Sequence, residues 1–114
     1  MLFRPDNETQ VEIYGWVMFK HIHPKYPVSY HLAGMIDGCG RVCSPLQSVE
    51  ETEDSYIFIS RSGKQCTAPK KYYRGDSLDY LSNDAKYTLN SWLNMNSGTA
   101  EFATVDEFKM ADKY

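Results

Sequence analysis

The 114-residue sequence predicts an α+β fold: a small antiparallel, strongly twisted sheet or partly closed barrel of four to six strands, with one main helix in the C-terminal half packed on it. Three features lead there. Short segments of alternating apolar and polar residues, rich in β-branched and aromatic side chains, recur up to about residue 68. Turn-forming residues separate them, as in Asp37-Gly38-Cys39-Gly40 and Ser62-Gly63. After Pro69 the apolar spacing changes to three and four, the period of one helix face. At this length the chain holds one hydrophobic core, hence one domain spanning 1–114.

Residues 9–19 alternate as a strand, with Val11, Ile13 and Val17 on one side and Glu12, Tyr14, Trp16 and Met18 on the other. Residues 21–27 contain Pro24 and Pro27 and read as a loop, because proline removes a ladder donor. Residues 28–36 place Val28, Tyr30, Leu32, Gly34 and Ile36 on one face, and the 37–40 turn follows. A third strand over 41–49 carries Pro45, which marks an edge or a bulge. The acids Glu50, Glu51, Glu53 and Asp54 then form a solvated hairpin loop. Residues 55–60 make the most apolar strand, and 64–68 a fifth short one.

Ser77 caps a helix over about 78–95, whose stripe is Leu78, Leu81, Ala85, Leu89, Trp92 and Met95 and whose stop is Gly98. Ser82 and Asn83 are equally good caps, so a turn followed by a helix from Asn83 fits as well. Residues 99–103 add a last strand, and 104–108 a capped helical turn. The expected core is Val11, Ile13, Val17, Leu32, Ile36, Ile57, Ile59, Leu89 and Trp92.

No apolar run approaches the roughly 20 residues of a membrane-spanning helix, and the start carries Asp6 and Glu8 instead of a basic and then apolar leader. These features point to the cytosol. There the three cysteines, Cys39, Cys43 and Cys66, are expected as reduced thiols.

Leu32-Ala33-Gly34, Gly38, Gly40-Arg41-Val42 and Ser44-Pro45-Leu46, followed by a hairpin and Ser60-Arg61-Ser62-Gly63, form a pattern between Leu32 and Gln65. In it the chain resembles small uncharacterised proteins of bacteriophages and bacterial mobile elements. The resemblance covers under a third of the chain and consists of turn chemistry. It implies a compact, mostly β fold and a phage or mobile-element origin, and it brings no activity with it.

Functional motifs are sparse. There is no G-x-x-x-x-G-K-[ST] loop and no G-x-G-x-x-G, so a standard phosphate cradle is unsupported. His21-x-His23, with Cys39, Cys43 or Asp37 as further ligands, lacks the paired short spacings of a zinc site. His31 lies on a strand that can neighbour Cys43 across the 37–40 turn, but nothing marks a third group to orient the ring. The expectation is therefore a non-enzymatic protein with no catalytic residue, cofactor or metal.

Charge supplies two candidate surfaces. Arg61, Lys64, Lys70, Lys71 and Arg74 form a stretch without an acid, and removing those five cations from the net −3 leaves −8 for the remainder. Glu50, Glu51, Glu53 and Asp54, with Asp76 and Asp79 near the helix start, suit a host protein with a basic groove. The first reading is thus an inhibitor or modulator of a host protein, such as a defence-system component, in the manner of an anti-CRISPR protein. Tyr72 and Tyr73 between the cations support the alternative, a nucleic-acid-binding accessory domain using Arg61, Lys64, Lys70, Lys71, Tyr72, Tyr73 and Arg74.

Overall fold

Trp16, Val17, Met18 and Phe19 are consecutive and wholly buried. A strand achieves this only when both faces of its sheet are covered, and that arrangement organises the molecule. The computed structural model describes residues 10–111. Thr9, the expected start of the first strand, and Asp6 and Glu8 lie outside the described residues.

Among the described residues, eight strands form two four-stranded sheets. One sheet has the order β1-β7-β6-β5, from β1 (Gln10–Glu12), β7 (Gln65–Pro69), β6 (Ser55–Ser60) and β5 (Leu46–Glu51). The other has the order β4-β3-β2-β8, from β4 (Cys39–Val42), β3 (Tyr26–Ile36), β2 (Tyr14–His23) and β8 (Thr99–Ala103). All pairings are antiparallel except β1 with β7. Helix α1 (Asn83–Asn96) covers the outer face of the second sheet, and the short α2 (Val105–Met110) closes the space between the sheets with Phe108. The fold is α+β as expected, but it is a sandwich of two sheets and not a single sheet or barrel.

Two cores result. Ile13, Trp16, Met18, Leu32, Ile36, Leu46, Phe58 and Ala68 pack between the sheets, while Val17, Phe19, Ala33, Leu81, Ala85 and Leu89 pack between the second sheet and α1. The expected 9–19 strand is in fact two strands. The chain leaves the first sheet at Ile13, and a register shift between Tyr14 and Val17 contains Gly15 at φ +55°, a conformation that suits glycine. That irregularity inverts the alternation, so Ile13 shares a core with Trp16 and Met18 and not with Val17.

The 41–49 strand also divides. Residues 43–45 lie outside any strand, and the chain crosses between sheets there, beside Pro45. The 21–27 loop is a correction in the other direction: β2 runs to His23 and β3 starts at Tyr26, around a turn at Pro24 and Lys25. Pro27 fits in β3 because β4 pairs only with Ala33 to Ile36, leaving one side of Pro27 without a ladder. The helix begins at Asn83 with Ser82 as its cap, accepting from the Ala85 N–H at 3.2 Å, while Leu78–Tyr80 is a separate 3₁₀ turn capped by Ser77. Of the expected core, Ile13, Val17, Leu32, Ile36 and Leu89 are buried, whereas Val11, Ile57, Ile59 and Trp92 are only half-buried. Ile57 and Ile59 alternate with Phe58 and so lie on the uncovered face of the first sheet.

Gly40 fixes the seat of α1, since a Cβ there would stand 2.5 Å from the Asp84 carbonyl oxygen and 2.6 Å from Thr88 Oγ1. Gly40→Ala should therefore lower the unfolding free energy by about 1–3 kcal/mol, the usual cost of overpacking, in urea titrations. A variant as stable as the parent would mean that α1 does not rest on β4 at this distance.

Candidate partner-binding surface

Trp16 organises one end of the sandwich. Its indole N–H donates to the Pro69 carbonyl at 2.8 Å, and its backbone carbonyl accepts from the Arg74 N–H at 2.9 Å. Residues 69–74, which include the 3₁₀ turn Lys70–Tyr72, are thereby held across the end of both sheets. Tyr73 stacks obliquely on Trp16 at 4.9 Å between centroids, and burial, aided by Asp76, pushes its phenol up to about 12. Tyr72 meets Tyr14 edge-on at 4.9 Å, with the Lys71 ammonium 5.2 Å from the Tyr72 ring centre. Arg74 lies over Gly15.

The acidic hairpin stands beside this segment. Thr52 shapes its tip by accepting from the Ser55 N–H at 3.0 Å, and the Asp54 carbonyl accepts from the Lys70 N–H at 2.8 Å. Glu51 bonds Lys109 at 2.8 Å and Lys70 at 2.6 Å, and these ammonium groups hold its carboxyl down at about 2. Lys70 and Lys109 also lie 5.1 and 5.8 Å from the Tyr56 ring centre. The acidic and basic sets, separate in sequence, therefore meet on one face.

Two hollows open there. One of about 270 Å³ is lined by Trp16, Tyr56, Lys70, Tyr73, Val105 and Asp106. A larger one of about 630 Å³ is bounded by Glu12, Tyr14, Glu53, Asp54, Lys71 and Tyr72. Tyr14 also donates a hydrogen bond to Glu12.

Not every residue singled out in the sequence belongs to this face. Arg61 and Lys64 sit in the β6–β7 hairpin, at the opposite end of β7 from Lys70, about 20 Å away at strand rise. Glu50 pairs with Ile57 on the outer side of the first sheet. Asp76 joins the face by accepting from the Tyr73 hydroxyl at 3.3 Å, and Asp79 is exposed on the following 3₁₀ turn. Tyr14, Trp16, Tyr56 and Lys109 are contributors that sequence reasoning missed. The three aromatic residues were signalled by aromatic content alone and Lys109 by nothing, because the topology that gathers them is long-range.

The histidines lie elsewhere. His21 Nε2 donates to the Ser97 carbonyl at 2.6 Å, and His23 Nδ1 accepts from the Lys25 N–H at 3.0 Å. Asp37 and Cys39 are at the far end of β3, and no group of three potential metal ligands comes together among the described residues. His31 does reach Cys43, but through the backbone. Its Nδ1–H donates to the Cys43 carbonyl at 2.9 Å, its Nε2 accepts from the Ser29 hydroxyl at 2.8 Å, and its ring stacks on Phe19. The Cys43 sulfur instead lies 3.9 Å from that of Cys66, so the imidazole is not a base for that thiol.

Burial lowers His31 to about 4 from an ordinary 6.5. Between those values the unfolded chain binds a proton that the native state refuses, so stability is full above pH 6.5 and declines as the pH falls towards 4. The gap corresponds to about 3 kcal/mol. Urea midpoints measured from pH 7 to 4.5 should fall in the parent, and the decline should be shallower in His31→Gln. Equal slopes would mean that another group governs the acid limb. Comparison of the chain with protein-family models, with curated proteins and with solved structures finds no match, so what this surface binds has to be inferred from its chemistry.

Proposed function

We propose that the chain is a non-enzymatic binding protein that engages a host protein through the face built by Tyr14, Glu53, Asp54, Lys71, Tyr72 and Tyr73, and inhibits or modulates it. The observation that carries this reading is the meeting of the acidic hairpin and the basic, tyrosine-bearing segment around two adjoining hollows. Tyrosines offer large contact area at little entropic cost, and interfaces between proteins are enriched in them. Charges of both signs suit a partner patterned in the complementary sense and fix its register.

The same arrangement disfavours a polyanion. Lys70 is already paired with Glu51, and Arg61 and Lys64 are remote. Glu12, Glu53 and Asp54 border the hollow beside Lys71 and would repel phosphate. A bacteriophage or mobile-element origin accords with the turn pattern between Leu32 and Gln65, and a defence protein is the target proposed for a chain of such origin.

Capture from nuclease-treated lysate of the cell in which the chain works should recover one stoichiometric protein. Tyr72→Ala should weaken that capture at least ~10-fold, as for an interface hot spot. Lys71→Glu and Asp54→Lys should each weaken it too, while the double change Arg61→Glu, Lys64→Glu leaves it unaltered. Salt-sensitive binding of a single-stranded oligonucleotide that Lys71→Glu abolishes, with no protein recovered, would overturn the proposal in favour of nucleic acid.

A further inference from the structure

Cys43 directly follows β4 of the second sheet, and Cys66 belongs to the first sheet. Cys43 opens the 43–45 segment by which the chain crosses from β4 to β5, and Cys66 lies in β7. Their sulfurs are 3.9 Å apart at the edge of the core between the sheets, beside a partly open cavity of about 80 Å³. Apolar Val11, Leu46 and Phe58 line it together with the exposed cations Arg41 and Lys64. The cavity has room for several water-sized molecules and so admits a small hydroperoxide.

We propose that Cys43 and Cys66 form a hydroperoxide-reactive dithiol that closes to a disulfide joining the two sheets. Half-buried Cys43 is the attacking sulfur and buried Cys66 the resolving one. The Cys66 S–H, which donates to the Cys43 sulfur once that is ionised, holds Cys43 below its ordinary range, with Lys64 and Arg41 adding to the effect. The same contact and burial push Cys66 up. The two thiols thus differ in the sense that an attacking and a resolving cysteine require.

The chemistry balances with hydrogen peroxide as the two-electron oxidant. The Cys43 thiolate attacks one peroxide oxygen; an S–O bond forms, the O–O bond breaks, and hydroxide leaves and takes a proton to become water. The Cys66 sulfur then attacks the sulfenic sulfur of Cys43. An S–S bond forms, the S–O bond breaks, and a second water leaves with the Cys66 proton. A disulfide bond is about 2.0 Å long, so the sulfurs approach by roughly 1.9 Å from their 3.9 Å separation. The Cys43 backbone is held by its N–H on the Leu32 carbonyl and by its carbonyl on the His31 Nδ1–H, so rotation of the two side chains supplies the approach.

The test uses the full chain carrying Cys39→Ser, which removes the exposed third thiol. One equivalent of hydrogen peroxide should abolish both remaining thiols, with loss of two hydrogens by intact mass. Tryptic digestion should then yield peptide 42–61 linked to peptide 65–70, and dithiothreitol should reverse the change. Adding Cys66→Ser should stop the reaction at a sulfenic acid that dimedone traps, and adding Cys43→Ser should slow thiol loss at least ~10-fold. Retention of both thiols by the folded Cys39→Ser protein, oxidation to sulfinic acid without a cross-link, or cross-linking only between chains would each overturn the proposal. Equal thiol loss in the Cys43→Ser background would overturn the assignment of the attacking sulfur.

Discussion

The hydrogen bond from the Trp16 indole to the Pro69 carbonyl, 2.8 Å long and buried, is the constraint on which the rest of the structure depends. Trp16 belongs to the second sheet and Pro69 to the last position of β7 in the first, so the bond fixes how the two sheets meet. An indole N–H buried without an acceptor costs about 1–3 kcal/mol, which makes other placements of β7 against β2 unfavourable. The ring itself touches Tyr56, Phe58 and Tyr73 at centroid distances of 6.0, 6.2 and 4.9 Å. Residue 16 therefore sets both the spacing of the inner core and the position of the segment that carries the candidate surface. Its carbonyl, by accepting from Arg74, extends the same control to the end of that segment.

Much of the local structure was legible because it follows from short-range chemistry. Strands 55–60 and 99–103 have the expected limits, and the caps at Ser82 and Thr104 act through hydroxyls that accept from the Ala85 and Glu107 N–H groups. What periodicity could not supply was the number of sheets. Alternation in 9–19 suggested one covered face and one wet one, yet Trp16 to Phe19 are buried on both. A β-strand with two covered faces shows no contrast between apolar and polar positions, and a one-residue irregularity at Gly15 inverts the parity on either side of it. The strand break at residues 43–45 was visible only as Pro45, which marks an interruption without saying that the chain changes sheet.

The candidate surface was half legible for a related reason. A run of like charges in sequence becomes a patch in space only if the backbone turns back on itself, and β7 instead carries the run straight from one end of the first sheet to the other. Arg61 and Lys64 are thereby divided from Lys70, Lys71 and Arg74. The acidic run met the cations instead, because the β5–β6 and β6–β7 connections are on opposite ends and only the former adjoins residues 70–74. Glu51 between Lys70 and Lys109 is a solvent-facing network, whose contribution to stability is small under screening. Its effect lies in setting the charge pattern presented outward, with Glu53, Asp54 and Lys71 left to face a partner.

A face drawn from positions as distant as Tyr14, Asp54, Tyr72 and Asp106 exists only when both sheets and α2 are in place. Any partner that recognises it binds the native state and not the unfolded chain, so binding and folding are linked, and a saturating partner at 100 times its Kd adds about 2.7 kcal/mol to stability. Conversely, a change in the interior at Phe58 alters the surface from within, because Phe58 packs on the Trp16 ring, and the Trp16 indole and carbonyl hold segment 69–74 together with Asp54, Glu51 and Tyr14. Loss of binding in an interior variant therefore reports on the frame, and only exposed positions such as Tyr72 and Lys71 separate contact with a partner from the packing that presents it.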